Sequence, residues 1–201
     1  MNECLIIFSR YPEPGKTKTR LIPALGAEGA AVLQRQMTEH TFAQVKELQG
    51  VRLVSVEVYF VGGNQHLMQR WLGTSVIYRQ QAEGDLGRRM AIAFQTASEA
   101  GYERIVIIGT DCPDLNAQLM VKAFQSLEQH DLVLGPAQDG GYYLIGLRRL
   151  IPELFTGISW STAEVLQQTT NIAQKLQLAV TFLPILSDVD RPEDLVERRP
   201  A

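Results

Sequence analysis

A basic segment follows the first apolar run of the chain. The run CLIIF occupies residues 4–8, and positions 10–20 then carry four cations against one acid, Glu13. The cations are Arg10, Lys16, Lys18 and Arg20. Arginine can bind two phosphate oxygens at once and lysine acts as a point charge, so this composition suits a polyphosphate. A basic loop that only faces solvent is the alternative.

Gly15, Lys16 and Thr17 invite comparison with the P-loop of ATPases and GTPases. That motif needs another glycine at position 10, where this chain has Arg10. Its helix also begins at the Gly-Lys-Thr, which would place Pro23 in the second helical turn. Proline there removes a hydrogen bond and clashes with the preceding turn. We therefore predict a phosphate-binding loop of another kind.

Carboxylates follow a second strongly apolar run, in the segment VIIGTDCPDL at residues 106–115. Acids placed opposite a basic loop suit Mg²⁺ or Mn²⁺ that bridges a diphosphate. We predict that Asp111 is a metal ligand and that Asp114 or Asn116 caps the next helix. A second acidic cluster, SDVDRPEDL, contains Asp188 and Asp190. Asp190 could also lie there only as a residue near the start of a last helix.

The segment GPAQDGGYYLIGL offers groups for a sugar or an acceptor. Gly140 and Gly141 leave the backbone accessible, and Asp139 could bind a sugar hydroxyl or act as a general base. A β-turn of the Asp-Gly type between two strands explains the same residues equally well. Trp160 and Ser161 are candidates for a wall on the acceptor side, although a tryptophan is as often a core anchor.

Short apolar runs alternate with longer amphipathic patterns. The strands and helices that these patterns predict must position the candidate site residues. Strands are predicted at residues 4–8, 52–61, 75–80, 104–109, 131–137, 142–147 and 179–185. Helices are predicted at residues 26–49, 66–72, 86–100, 116–129, 161–177 and 191–199. Ser161 and Glu164 have the spacing of a capping box. The alternation predicts an α/β fold with a mostly parallel sheet between two helical layers. Ligands bind such sheets beyond the carboxyl ends of the strands.

Composition narrows the class of protein. The 201 residues suit one domain, 1–201, and a net charge of −3 gives no indication of nucleic-acid or membrane binding. The first apolar run is too short for a signal peptide or a membrane helix, so we expect a cytoplasmic protein. Cys4 and Cys112 lie far apart in the sequence, which disfavours a disulfide scaffold or a zinc site.

Several motifs together resemble the DUF2064 family of small bacterial proteins. The motifs are FSRYPEPGKTKTRL, GTDCPDL, QDGGYYLIGL, ISWST and DVDRPEDL. The family is glycosyltransferase-like, and one group is associated with arsenosugar biosynthesis. It is similar to the nucleotide-diphospho-sugar transferase fold, known as GT-A, and akin to the molybdenum-cofactor and phospholactate guanylyltransferases. The resemblance covers nearly the whole chain and implies a three-layer α/β/α sandwich with a mixed, mostly parallel sheet.

The resemblance also implies a nucleotide site. TRLIP is similar to the T-R-L-x-P element of sugar-nucleotide pyrophosphorylases, whose arginine contacts phosphate, and this implies the same for Arg20. QAEGDLG would place Gln81 and Gly87 against the base, and a strand-to-helix turn capped by Asp85 is the alternative explanation of the same segment. The other nucleotide-binding residues expected are Ser9, Arg10, Gly15, Lys16 and Lys18. Related enzymes have a glycine-rich loop where this chain has YPEPGKTK. The positive charge of lysine side chains would therefore replace some of the backbone N–H groups that bind phosphate.

The second metal ligand is implied in the same way. Related nucleotidyltransferases use an Asp or Asn just before the last helix, which corresponds to Asp190, with Asp188 in reserve. Together with Asp111, this residue would hold one Mg²⁺ or Mn²⁺ ion.

The leading functional prediction is transfer of a sugar from a nucleoside diphosphate-sugar to a small acceptor, with Arg20 and Asp139 as the catalytic residues. The first alternative is a nucleotidyltransferase that joins an NTP to a phosphorylated small molecule and releases pyrophosphate. The second is a non-catalytic nucleotide-binding relative. A monomer or a homodimer is expected in each case.

Overall fold

A seven-stranded sheet forms the centre of the computed structural model, which describes residues 2–195. Its strands are β1 (Glu3–Arg10), β2 (Ser55–Val61), β3 (Ile77–Gln80), β4 (Arg104–Ile108), β5 (Leu132–Pro136), β6 (Tyr142–Leu147) and β7 (Val180–Phe182). They are ordered β3-β2-β1-β4-β6-β5-β7. Strand β6 runs antiparallel to β4 and β5, and the other named pairs are parallel. The predicted mixed, mostly parallel sheet is confirmed.

Helices cover both faces of the sheet. They are α1 (Ile22–Val51), α2 (Gln65–Leu72), α3 (Leu86–Glu99), α4 (Ala117–Ser126) and α5 (Val165–Lys175). Alternate residues of β1 point to opposite layers: Leu5 and Ile7 pack with α1, α2 and α4, whereas Cys4 and Ile6 pack with α3 and α5. Because β1 is apolar on both faces, it can lie at the centre of a three-layer fold.

Short polar side chains set the starts of three helices. The side chains of Asn64, Asp85 and Asn116 accept hydrogen bonds from backbone N–H groups in the first turns of α2, α3 and α4. Such caps satisfy donors that have no partner within the helix. Asn116, and not Asp114, therefore caps α4.

The region before α5 differs from its prediction. The helix begins at Val165, with Glu164 at the N-cap position and no side-chain cap. Ser161 instead has φ 66, in the left-handed region, so the predicted capping box is wrong. In place of a first helical turn, this segment brings Trp160 against Gly87 of α3 and Ala163 against Gly140. Of the predicted last helix, Pro192–Leu195 forms a 3₁₀ turn, and residues 196–199 lie outside the described residues.

Helix α1 starts earlier than predicted but is interrupted. Gly26 has φ 71 and ψ 168, so regular helical geometry begins after it, close to the predicted start. Pro23 lies in the first turn of α1, where proline is tolerated. Among residues 2–195, none of the helices is long and apolar enough to cross a membrane.

Candidate functional site

A cleft of about 580 Å³ opens at the carboxyl edge of the sheet, where β1, β4 and β5 end. Thirteen of the predicted site residues line it. They are Ser9, Arg10, Lys16, Lys18, Arg20, Gln81, Asp111, Asp139, Gly141, Trp160, Ser161, Asp188 and Asp190. The topology brings these distant segments together, as expected for ligand sites in parallel sheets.

The basic loop after β1 is held by its own hydrogen bonds. Tyr11 N donates to Val61 O at 2.9 Å, and the Thr17 hydroxyl donates to Tyr11 O at 3.1 Å. Thr17 is buried, and the next helical element starts only at Thr19. Because no helix begins at the Gly-Lys-Thr, this is not a P-loop, as the sequence predicted.

Lys18 turns inward from this loop. Its backbone is left-handed, with φ 47 and ψ 46, and its side chain is only 3% exposed. The ammonium nitrogen lies 2.8 Å from Asp111 Oδ1 and 3.9 Å from Asp190 Oδ1, and it donates to Val189 O at 2.6 Å. The sequence predicted a phosphate contact for Lys18. The structure places it between the two predicted metal ligands.

Arg20 and Asp190 form an ion pair on the same side of the cleft, with 2.6 Å between Nη1 and Oδ2. Asp190 is kept there because Val189 N donates to Asp111 O at 2.9 Å, which joins the two acidic segments. The predicted convergence of Arg20, Asp111 and Asp190 on one cleft is therefore present. Lys16, in contrast, is 69% exposed and paired with Glu13 at 2.7 Å.

Asp139 lies in the turn between β5 and β6. Its Oδ1 accepts a hydrogen bond from Gly141 N at 2.8 Å, which is the local geometry of an Asp-Gly turn. Burial raises the pKa of Asp188, and the neighbouring charge of Asp139 raises it further. Burial also raises the pKa of the Cys112 thiol, with added contributions from Asp188, Asp111 and Asp139. These carboxylates therefore form a locally negative region.

The acidic residues provide a suitable donor set for a divalent cation. Among residues 2–195, no three His, Cys, Asp or Glu side chains are arranged to hold one metal ion. Asp111 and Asp190, however, both face one cation, the Lys18 ammonium. Magnesium is usually held by one or two carboxylates, with waters and substrate phosphates completing its coordination. The two aspartates fit that requirement.

Gln81 and Arg89 form a second polar group in the cleft. Gln81 Nε2 donates to Tyr59 O at 3.0 Å, and its Oε1 accepts from Arg89 Nη1 at 3.0 Å. Each end of the Gln81 amide thus has a partner within the chain. Arg89 also lines the cleft.

Three predicted glycines lie outside the cleft lining: Gly15, Gly87 and Gly140. Gly15 supplies a positive φ of 78° in the basic loop. A Cβ atom at Gly87 would lie 2.3 Å from Trp160 Nε1, and one at Gly140 would lie 2.2 Å from Ala163 O. A ligand was expected to lie close to Gly87 and Gly140. The space beside these two glycines is instead occupied by residues 160–163 of the same chain.

One lining residue with a buried polar side chain was missed by the sequence interpretation. Gln34 lies on the apolar stripe of α1, and its amide donates to Thr110 Oγ1 at 3.2 Å, just before Asp111. A buried glutamine inside an apolar stripe is the signal that could have identified it. The hydroxyl of Ser9, which the sequence did predict as a nucleotide-binding residue, is buried and has no hydrogen-bond partner within residues 2–195.

A second cavity of about 660 Å³ adjoins the cleft and shares part of its lining. The shared residues are Arg20, Asp139, Ser161, Thr162, Asp188 and Asp190. Asp114, Asp194 and Arg191 are among its other lining residues. Its charged lining side chains are mainly acidic, with five aspartates and two arginines.

The fold and the position of this cleft define the class as the nucleotide-diphospho-sugar transferase type. A family described as "Uncharacterized protein conserved in bacteria (DUF2064)" matches residues 44–162, which is more than half of the chain. The chain belongs to this family. A crystal structure from Desulfovibrio desulfuricans G20, provisionally assigned as a nucleotide-diphospho-sugar transferase, is 37% identical with a TM-score of 0.90. The similarity covers 97% of this chain and 85% of that one.

Two further relatives have names of nucleotide-transferring enzymes. A 3-phospho-D-glycerate guanylyltransferase from Phenylobacterium zucineum (strain HLK1) is 38% identical over 103 residues, which are 50% of this chain and 46% of that protein. The match thus spans about half of that relative. The inositol-1-phosphate CTP transferase of T. maritima shares the fold, with a TM-score of 0.60 at 14% identity over 96% and 91% of the two chains. The expectation of a transferase is confirmed at the level of family and fold.

Proposed function

We propose that this protein is a nucleotidyltransferase, which joins a nucleoside triphosphate to a small phosphorylated molecule and releases pyrophosphate. The observation that carries the proposal is the meeting of Lys18 and Arg20 with Asp111 and Asp190 at one edge of the cleft. Cations for phosphate oxygens and carboxylates for a divalent ion are the two groups that a triphosphate requires. The name of the guanylyltransferase relative supports the same reaction.

The reaction needs little from the protein beyond positioning and charge. An oxygen of the acceptor phosphate attacks the α-phosphorus and forms a new P–O bond. The bond from the α-phosphorus to the bridging oxygen of the β-phosphate breaks, and pyrophosphate leaves with the electron pair. Because the acceptor oxygen is already anionic, no general base is required. Asp139 then has no proton to take in this reaction.

Arg20 is the residue we assign to charge stabilisation. Its side chain lines the cleft and is 58% exposed, so the guanidinium can reach a ligand while Asp190 holds it at the site. A guanidinium can bind two phosphate oxygens, and such contacts are worth most where charge develops during the reaction. Mg²⁺ or Mn²⁺ held by Asp111 and Asp190, with Asp188 in reserve, would neutralise phosphate charge when bound.

Sugar transfer is the second candidate, and the second cavity favours it. Five aspartates line that cavity with two arginines: Asp114, Asp139, Asp188, Asp190, Asp194, Arg20 and Arg191. Carboxylates accept hydrogen bonds from hydroxyl groups, whereas they repel a phosphorylated acceptor. A neutral, hydroxyl-rich acceptor therefore suits this cavity, and Asp139 would then be available as a general base.

Product analysis separates the two reactions. The protein is incubated with Mg²⁺, each of the four NTPs and 3-phospho-D-glycerate, with other phosphorylated acids as further acceptors, and pyrophosphate is measured. In parallel, nucleoside diphosphate-sugars are supplied with polyols, and release of nucleoside diphosphate is measured. Nucleotidyl transfer predicts pyrophosphate that depends on the acceptor and is lost in Asp111→Asn. Nucleoside diphosphate release alone would overturn the proposal in favour of sugar transfer, and nucleotide binding without either product would identify a non-catalytic relative.

A further inference from the structure

The cleft contains a group of lining residues that the phosphate chemistry does not use. They are Leu86, Arg89, Met90, Tyr142 and Trp160. We propose that Trp160 and Arg89 form the nucleobase subsite, and that Arg89 selects a base whose edge presents two adjacent hydrogen-bond acceptors. This inference rests on the proposed function and names the class of nucleotide that it uses.

Trp160 has the placement of a rigid aromatic wall. Its indole lies directly on Gly87, where an added Cβ atom would be 2.3 Å from Nε1 and 2.4 Å from Cε2. The Tyr142 ring meets it edge-on, with 6.5 Å between the centroids. The next residue, Ser161, has a left-handed backbone with φ 66, a conformation that non-glycine residues seldom adopt. The indole is half-buried, and its remaining surface lines the cleft.

Arg89 lines the same cleft as Trp160 and is held in place by hydrogen bonds. Its Nη1 donates to Gln81 Oε1 at 3.0 Å and its Nε donates to Asp85 O at 3.3 Å. Gln81 is itself fixed through Tyr59 O. Two of the five guanidinium N–H groups are used in this way, which orients the fork and leaves further donors for a ligand.

The N–H donors of the Arg89 guanidinium, held in a fixed orientation, discriminate among bases. Guanine offers O6 and N7 as neighbouring acceptors, which arginine binds in bidentate fashion. Cytosine offers O2 and N3. Adenine places its amino donor next to N1 and N7, and uracil places the N3 donor between its two carbonyl groups. The shared chemistry is therefore a pair of adjacent acceptors, supplied by GTP or by CTP.

Fluorescence can test this directly because the chain has two tryptophans. In a Trp71→Phe background, Trp160 is the remaining tryptophan, and the four NTPs are titrated separately. We expect GTP or CTP to quench its emission with an affinity at least about tenfold above ATP and UTP. Equal affinity for all four NTPs, or tight binding with unchanged Trp160 emission, would overturn the inference.

Paired arginine substitutions locate the discrimination. Arg89→Lys keeps the positive charge but removes the planar set of guanidinium donors. The preference among bases should therefore fall to within about threefold while triphosphate binding persists. Arg88→Lys is the matched control, because Arg88 is the adjacent residue on the same helix but is exposed and outside the cleft lining. If Arg89→Lys keeps the wild-type preference, Arg89 does not read the base.

Two glycine substitutions test the position of the Trp160 indole without changing a side chain that would contact the ligand. Gly87→Ala forces the indole away and should weaken binding of the preferred NTP by about tenfold or more. Gly50→Ala, in a helix with open space around its Cβ position, should have no effect. Thermal unfolding confirms that each variant is folded. Binding of no NTP to the wild type would defeat the proposed function itself, whereas binding unaffected by Gly87→Ala and Arg89→Lys would defeat this inference alone.

Discussion

The ammonium nitrogen of Lys18 lies 2.8 Å from a carboxylate oxygen of Asp111, although the two side chains differ sharply in exposure. The lysine is 3% exposed and the aspartate 50%, so a buried cation pairs with an acid on the cleft surface. Val189 O accepts a further hydrogen bond from the same nitrogen at 2.6 Å. A divalent ion bound by Asp111 and Asp190 would compete with Lys18 for the same oxygens.

We predict that Lys18→Met raises the affinity of the ligand-free protein for Mn²⁺. Removing the ammonium leaves the carboxylates available to the metal, and we expect a gain of about tenfold in affinity, or about 1.4 kcal/mol. The measurement is a Mn²⁺ titration by electron paramagnetic resonance or calorimetry. Without metal the variant should unfold at a lower temperature, and Mn²⁺ should restore it, because a ligand that binds the folded state stabilises that state.

Lys16→Met is the matched control for this experiment. It removes the same charge from the same loop, but Lys16 is exposed and pairs with Glu13. Its effect on the Mn²⁺ affinity should be within about twofold because exposed charges are screened by solvent and salt. Equal gains in both variants would show that only net charge matters and that Lys18 does not compete with the metal.

We predict that Asp111→Asn removes the metal dependence of nucleotide binding. The wild type should bind its nucleotide at least about tenfold more tightly with Mn²⁺ than without it, because the metal neutralises phosphate charge. In the variant that ratio should fall close to one. Asp114→Asn is the control, since Asp114 lies three residues further along and lines the second cavity but not the cleft. Calorimetry measures each affinity, and a ratio that survives in Asp111→Asn would exclude Asp111 as a metal ligand.

Gly140→Ala should destabilise the protein by about 1–3 kcal/mol. Gly140 has φ 87, and a Cβ atom there would lie 2.2 Å from Ala163 O, so the turn and the segment before α5 must separate. Gly141→Ala is the comparison, because the closest atom to its added Cβ is the movable Asp139 Oδ1 at 3.1 Å. Urea unfolding gives both free energies. A loss for Gly140→Ala no larger than that for Gly141→Ala would contradict the tight contact seen here.

Glu3 should make the stability of the fold depend on acid pH. Burial raises the pKa of Glu3, but hydrogen bonds from Arg52 and Arg104 outweigh burial, and the net pKa is below its ordinary value of 4.5. Because the folded-state pKa is the lower one, this contribution is complete above pH 4.5 and is lost as the pH falls through the lowered value.

Glu3→Gln should therefore cost about 2–4 kcal/mol at pH 7, since it removes one partner from a buried ion network. The loss in unfolding free energy should shrink as the pH is lowered from 5 to 3. Glu13→Gln breaks an exposed pair with Lys16 and should cost less than about 1 kcal/mol. A cost for Glu3→Gln that is independent of pH would contradict the lowered pKa.

The elements that could be predicted were those with strong local patterns. The apolar run of β1 and the amphipathic stripe of α1 identified a buried strand and a helix, because their periodicities match the two structures. The segment before α5 could not be predicted in this way. Its Ser161 and Glu164 have capping-box spacing, but packing of Trp160 on Gly87 and of Ala163 on Gly140 prevents the helix from starting there.

The sequence by itself determined which charges enter the cleft, because parallel strands must bring their carboxyl ends to one edge of the sheet. Arg20 and Asp111 could be placed together for this reason, whereas Asp190 was assigned to the same site by the resemblance to related nucleotidyltransferases. Only the tertiary structure decided how those charges pair. The left-handed backbone of Lys18 turns its ammonium onto Asp111, and the hydrogen bond from Val189 to Asp111 brings Asp190 alongside. Such pairing depends on contacts between residues distant in the chain, which local sequence patterns do not record.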